Sequence, residues 1–145
     1  MLTDWQGRPV LDWAERWGVP FLEVHHQVSS TNDVLLEMNE VERVPYGVVI
    51  ADEQTAGRGR NNTTWYSPDG TGLLMSILLP LVSVAQPYIS LILGLAVAQT
   101  IEVLGNSVLA QIKWPNDVLL DGAKVAGVLC ESSGGCVVAG QAVAL

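Results

Sequence analysis

Cations are scarce in this chain: seven Lys and Arg stand against fifteen Asp and Glu, for a formal net charge of −8. A general nucleic-acid binder neutralises many phosphates with a broad basic face, which so few cations cannot build. No nucleic-acid partner is expected. Histidine is rarer still: His25 and His26 are adjacent and lack a partner at metal-ligand spacing, which argues against a zinc centre. Long hydrophobic runs are missing too. The longest, YISLILGLAVAQT, is too short to span a bilayer and suggests a buried helix. The opening MLTDWQGRPVLDW has neither the charged n-region nor the apolar h-region of a signal peptide. A cytoplasmic location without membrane contact is therefore expected. The only cysteines, Cys130 and Cys136, flank the turn-like ESSGG; they can face each other there, but without an export signal free thiols are expected. Several familiar signatures are also absent. Asn62 stands where the third glycine of a dinucleotide fingerprint belongs, and no Gly-Lys-Ser/Thr or Gly-x-Ser-x-Gly occurs.

What is present suits one domain: 145 residues, 49% of them hydrophobic, with no linker, repeat or low-complexity segment. VLDWAERW (10–17) predicts a short helix stopped at Gly18-Val19-Pro20, and FLEVHH a strand. Ser30 and Asp33 fit a capping box before VLLEM, so a second helix is expected near residue 30. GVVIAD (47–52) and TGLLMSILLPL (71–81) have the composition of buried strands. Residues 87–104 begin at a proline, end at Gly105 and are apolar nearly all round, which predicts a core helix. Four strand-like runs follow: VLAQIKW, DVLLD, KVAGVLCES and CVVAGQAVAL, at hairpin spacing. The expected class is α/β (α+β), a mixed and largely antiparallel sheet with packed helices.

Four of the seven cations fall in two short stretches, Arg58 and Arg60 within GRGRNNTTWYSP, and Lys113 and Lys124 further on. Two like charges on a glycine-rich backbone suit a loop that orders around an anion. Several stretches then occur in a fixed order: SSTND (29–33), DEQTAGRGR (52–60), Trp65 with Ser67-Pro68, KWPNDVLL (113–120) and KVAGVLCE (124–131). Together they closely resemble the catalytic domain of the biotin protein ligases, also called biotin–[acetyl-CoA-carboxylase] ligases. The likeness covers roughly residues 22 to 140.

The resemblance implies a fold like that of class II aminoacyl-tRNA synthetases. It also implies an ATP-dependent ligase that makes biotinyl-5′-AMP from biotin and Mg-ATP and passes biotin to a lysine of a biotin carboxyl carrier protein. The residue chemistry agrees with those roles. Arg58 and Arg60, with Gly59 between them, offer guanidinium forks to carboxylate and phosphate. Lys113, taken as a buried strand lysine, supplies a compact positive charge, so Lys113 and Arg60 are the expected catalytic residues. Ser30, Thr31, Asn32 and Gln54 offer hydroxyl, amide and backbone N–H groups to biotin; Ser30 also suits a helix cap. Trp65, Asn116, Asp117 and Lys124 are the expected ATP contacts. Asp117 is the candidate for Mg²⁺, which otherwise arrives with ATP, and no protein-only metal site is expected.

The chain departs from the family pattern in three places. Asn61-Asn62-Thr63-Thr64 replace a further Gly-Arg pair, and Gly140-Gln141-Ala142-Val143-Ala144 replace Gly-x-Gly-x-Asn. The third departure is length: a catalytic domain incomplete at its C-terminus is expected, without a winged-helix or a C-terminal β-barrel domain. These departures would also fit a non-catalytic binder of biotin or biotinyl-adenylate, and a lipoate or octanoate ligase is the other alternative. The family often dimerises through sheet edges, which makes a homodimer a further expectation.

Overall fold

The computed structural model describes residues 1–38, 44–80, 88–105, 108–133 and 135–144. A small antiparallel ribbon of β1 (Asp4–Trp5) and β2 (Arg8–Pro9) leads into helix α1 (Val10–Trp17). The helix ends where Gly18 takes the left-handed conformation that other residues resist, at φ 63°. Next come β3 (Leu22–Val28), α2 (Thr31–Glu37), β4 (Val48–Gln54) and β5 (Gly72–Pro80). Helix α3 (Ile89–Leu104) is followed by β6 (Ala110–Lys113), β7 (Asp117–Leu120), β8 (Ala123–Ser133) and β9 (Cys136–Ala144).

Seven strands form one sheet in the order β3-β4-β5-β9-β8-β7-β6. Only β3 and β4 run parallel, joined across α2; every other neighbouring pair is antiparallel. The mixed sheet is thus as the hairpin spacing predicted. Alternation along β4 divides the core. Val48 and Ile50 pack with Val10 and Ala14 of α1, while Val49 packs with Leu35 of α2. Helices α1 and α2 therefore cover opposite faces. Ile77, packed on both the α1 cluster and Ile89 with Val137 and Ala139, places α3 on the α1 side.

Two expectations need correction, on helix α3 and on the capping box, while the expected free thiols are present. Helix α3 is not buried all round: Ile89, Gly94 and Ala98 are buried against the sheet, but Ile92, Leu95, Val103 and Leu104 are exposed. An apolar count cannot tell which side of a helix has a neighbour. Pro87, where that helix was expected to begin, lies outside the described residues. The two cysteines do not face each other, since Cys130 opposes Ala139 and Cys136 opposes Ser133. Both are free thiols, and burial pushes Cys130 up to about 11. The capping box does not form: Asp33 pairs with Arg58, and Ser30 lines the cleft.

Candidate active site

The face of the sheet under α2 carries a cleft of about 320 Å³, and all twelve side chains and backbones singled out from the sequence line it. They arrive from distant parts of the chain: the start of α2, the end of β4, the 57–65 loop, the β6–β7 turn and β8.

Ser30 is the N-cap of α2, yet its side chain caps nothing. Gln54 does that work. Its Oε1 accepts from the Thr31 backbone N–H at 2.7 Å and lies 2.9 Å from Thr31 Oγ1. Gln54 also lines the cleft. Below Thr31 and Asn32 lies Ser76, fully buried in the middle of β5, its Oγ 2.7 Å from Thr31 Oγ1 and 2.6 Å from Asn32 Oδ1. Asn32 Nδ2 donates to Glu131 Oε2 of β8 at 2.7 Å. Both ends of the Asn32 amide are thus engaged within the protein, which fixes its orientation and keeps a buried polar group satisfied.

Asp33, expected to cap α2, instead receives both terminal nitrogens of Arg58, at 2.9 and 2.5 Å. Glu131 accepts from the same guanidinium at 3.2 Å. Arg58 is therefore not one of two unpaired, mutually repelling cations. It pins the loop to α2 and β8. Arg58's hydrogen bonds hold the Asp33 carboxyl below the ordinary carboxylate range despite partial burial, and Asp33 in turn holds the guanidinium more firmly protonated.

The loop beyond Arg58 closes on itself. Gly59 N–H donates to Thr63 C=O at 2.7 Å, Trp65 N–H donates to Gly57 C=O at 2.9 Å, and Arg58 bridges Thr64. Asn61 turns the chain at φ 56°, a region asparagine tolerates better than most residues. Arg60 is exposed, and among the described residues it has no carboxylate partner.

On the opposite wall, Lys113 ends β6, the outermost strand, and is exposed rather than buried as its sequence neighbours suggested. An edge strand shares its period-2 pattern with a central one, so sequence could not separate them. Lys113, like Arg60, has no carboxylate partner among the described residues. Asn116 Nδ2 donates to Val128 C=O at 2.9 Å, stitching the turn to β8. Asp117 pairs with Lys124 at 2.7 Å, and Lys124 Nζ stands 5.1 Å from the Trp65 ring centroid. Among the described residues the buried Trp65 indole N–H has no hydrogen-bond partner. No group of three His, Cys, Asp or Glu side chains suited to a metal gathers among the described residues. Asp117, the candidate for Mg²⁺, is paired with Lys124 in this structure.

Ser76 and Glu131 were not singled out from the sequence. For Ser76 a signal existed: one hydroxyl in LLMSILL has to find a partner if the strand is buried. Glu131 closes the KVAGVLCE stretch, but nothing in the sequence tells that its carboxylate meets Asn32 and Arg58.

The Arg58–Asp33 pair makes stability depend on pH in a definite direction. Asp33 titrates lower in the folded chain than unfolded, so its contribution is complete above the ordinary value of 3.8 and is lost as pH falls through the folded value. A protonated Asp33 resembles asparagine. Wild type and Asp33→Asn are therefore expected to differ in urea midpoint at pH 7 and to converge as pH falls well below the ordinary carboxylate value. Midpoints that stay equally separated in acid would rule this out.

Comparison with known proteins places the geometry in context. The profile described as Biotin/lipoate A/B protein ligase family matches residues 24–145. The biotin–[acetyl-CoA-carboxylase] ligase of Mycobacterium tuberculosis is 38% identical over 125 residues, covering 82% of this chain and 47% of that protein. Among solved structures, the Leishmania major biotin protein ligase in complex with biotinyl-5-AMP superposes with TM-score 0.75 and 31% identity, over 86% of this chain and 57% of that one. The Aquifex aeolicus biotin protein ligase in complex with biotin and ATP gives 0.71 and 35%, over 86% and 52%. The chain spans 32 to 47% of the length of the curated relatives it matches. Among the described residues no helix is long and apolar enough to cross a membrane.

Proposed function

The chain belongs to the biotin/lipoate A/B protein ligase family, and on that premise we propose that it activates biotin with Mg-ATP and passes the biotinyl group to a lysine of a carboxyl carrier domain. One observation carries the reading: every residue expected in these roles lines a single cleft, and two cations there, Arg60 and Lys113, lack carboxylate partners among the described residues. Its volume, about 320 Å³, lies at the small end of ligand pockets.

In the first step a biotin carboxylate oxygen attacks the α-phosphorus of ATP. The bond from that phosphorus to the bridging oxygen breaks, and pyrophosphate leaves. Carboxylate and triphosphate repel one another, so the cations serve to bring them within reach and to stabilise charge on the transferring group. Lys113 takes that role on one wall and Arg60 on the other. Thr31 and Gln54 face the polar head of biotin. Trp65, Asn116 and Lys124 line the nucleotide side, where a phosphate meeting Lys124 competes with Asp117 for its ammonium. Mg²⁺ comes with ATP as part of the substrate. In the second step the acceptor lysine, as its neutral amine, attacks the acyl carbon. AMP leaves, and the nitrogen loses a proton to give the amide.

The test is pyrophosphate exchange into ATP driven by biotin, lipoate or octanoate. Exchange with biotin supports this reading. Exchange with lipoate or octanoate alone assigns a different acid, and tight biotin binding without exchange marks a binding protein instead of an enzyme.

A further inference from the structure

Glu131 closes the KVAGVLCE stretch but was given no role from the sequence, and it does not line the cleft. Its carboxylate nevertheless joins three separate parts of the chain. Oε2 accepts from Asn32 at the start of α2 at 2.7 Å and from Arg58 of the loop at 3.2 Å, while Oε1 lies 3.4 Å from the same arginine nitrogen. Asp33 holds the other side of Arg58, but Asp33 sits on α2, a helix of seven residues. Of the two carboxylates only Glu131 belongs to the sheet, where β8 lies between β7 and β9.

Direct ligand contact does not suit this group. Its oxygens are already engaged, and a carboxylate facing an anionic substrate repels it. The charges of Asp33, Arg58 and Glu131 sum to −1, so the cluster as a whole attracts no anion. Its net effect is mechanical: it fixes the guanidinium, and with it the backbone that presents Gly59 and Arg60 to the cleft. We propose that Glu131 is a positioning residue, tying the 57–65 loop to the sheet through Arg58 so that Arg60 is held at the rim of the cleft. The proposal rests on the ligase reading above for its effect on catalysis, but not for its effect on the loop.

Glu131→Gln isolates the link. Glutamine keeps an oxygen to accept from Asn32 and removes the charge facing Arg58. Two measurements on the full chain then separate the possibilities. In ligand-free protein, tryptic cleavage after Arg58 and Arg60 is expected to accelerate roughly five- to tenfold, since a hydrogen bond to a charged partner is replaced by a weaker one. Cleavage at the other Lys and Arg positions is expected to stay at the wild-type rate. In biotin-driven exchange, KM for biotin is expected to rise by a similar factor and kcat to fall as well, because the loop presents Arg60 to the transferring group. Adding Glu131→Gln to Arg58→Gln is expected to raise KM by less than twofold more, because the partner is already gone.

Wild-type cleavage in the loop, faster cleavage spread evenly along the chain, or a full KM increase in the Arg58→Gln background would each overturn the assignment. Failure of the wild-type chain to exchange with any acid would instead overturn the ligase reading, and loop cleavage would still decide the role of Glu131.

Discussion

Lys113→Ala is expected to fold as the wild type does and to lose at least about 100-fold in biotin-driven pyrophosphate exchange, the scale at which removing one preorganised charge acts on a developing anion. The two halves of that expectation have separate causes. Lys113 is exposed at the end of an edge strand, beside Trp114, which is itself 77% exposed, so alanine leaves no cavity and strands no buried partner. Substitutions of that kind change stability by no more than about 0.5 kcal/mol. The thermal midpoint should therefore move by no more than about 2 °C. The catalytic loss arises because Lys113 is one of only two cleft cations not already neutralised by a carboxylate among the described residues. Lys124→Ala provides the contrast. Its ammonium is already paired with Asp117 and rests over Trp65, so a milder loss, of about tenfold, is expected. Measuring midpoint and exchange on the same samples keeps the two effects apart. Wild-type exchange in a well-folded Lys113→Ala protein would remove this lysine from the mechanism.

Gly140→Ala is expected to damage both fold and site. Gly140 lies in β9, opposite Ser76 on one side and Leu129 on the other. A methyl group there would stand 2.2 Å from Asn32 Oδ1 and 2.9 Å from its Cγ. Asn32 cannot retreat cheaply, because it is buried and its amide is bound at one end to Ser76 and at the other to Glu131. Overpacking typically costs about 1–3 kcal/mol, to which the disturbed buried hydrogen bonds add. A fall in thermal midpoint of about 5–10 °C is expected. Exchange should fall by about 100-fold, the effect of displacing binding groups by an ångström. Asn32→Ala in the same chain removes the obstructing amide and should recover part of the lost midpoint. A double variant no more stable than Gly140→Ala alone would show that the clash is not the cause.

Much of this architecture was legible in the sequence because the features concerned are local. The helix over 10–17 carries its own stop at Gly18, and the later strands are punctuated by turns such as Asp121-Gly122. The cleft was legible through motif order, since glycine-spaced arginines and a lysine before a proline turn carry chemistry in their spacing. What could not be seen depends on a third dimension. The seeming capping box at Ser30 and Asp33 is locally sound, yet Gln54, 23 residues from Thr31, takes the Thr31 backbone N–H, and Arg58, 25 residues from Asp33, takes its carboxylate. Lys113 was misjudged as buried because nothing in an alternating run says whether another strand lies beyond it. The apolar face of α3 was misjudged for the same reason. Ser76 and Glu131 act through residues far along the chain: Asn32 lies 44 and 99 positions from them, and Arg58 lies 73 from Glu131.

That last separation bears on how the cleft comes into being. Asn32 and Glu131 meet only after β3, β4, β5, β9 and β8 have aligned, so the bond between them closes most of the chain into one loop. Contacts between such distant residues form slowly, because the entropy of closure is lost before they give anything back. A partly folded chain can hold helix α1 or the β6–β7 hairpin, but it has no cleft. Ligand recognition is thereby confined to the complete domain. A ligand of this cleft accordingly draws the folding equilibrium of the whole domain toward the native state, not that of one loop.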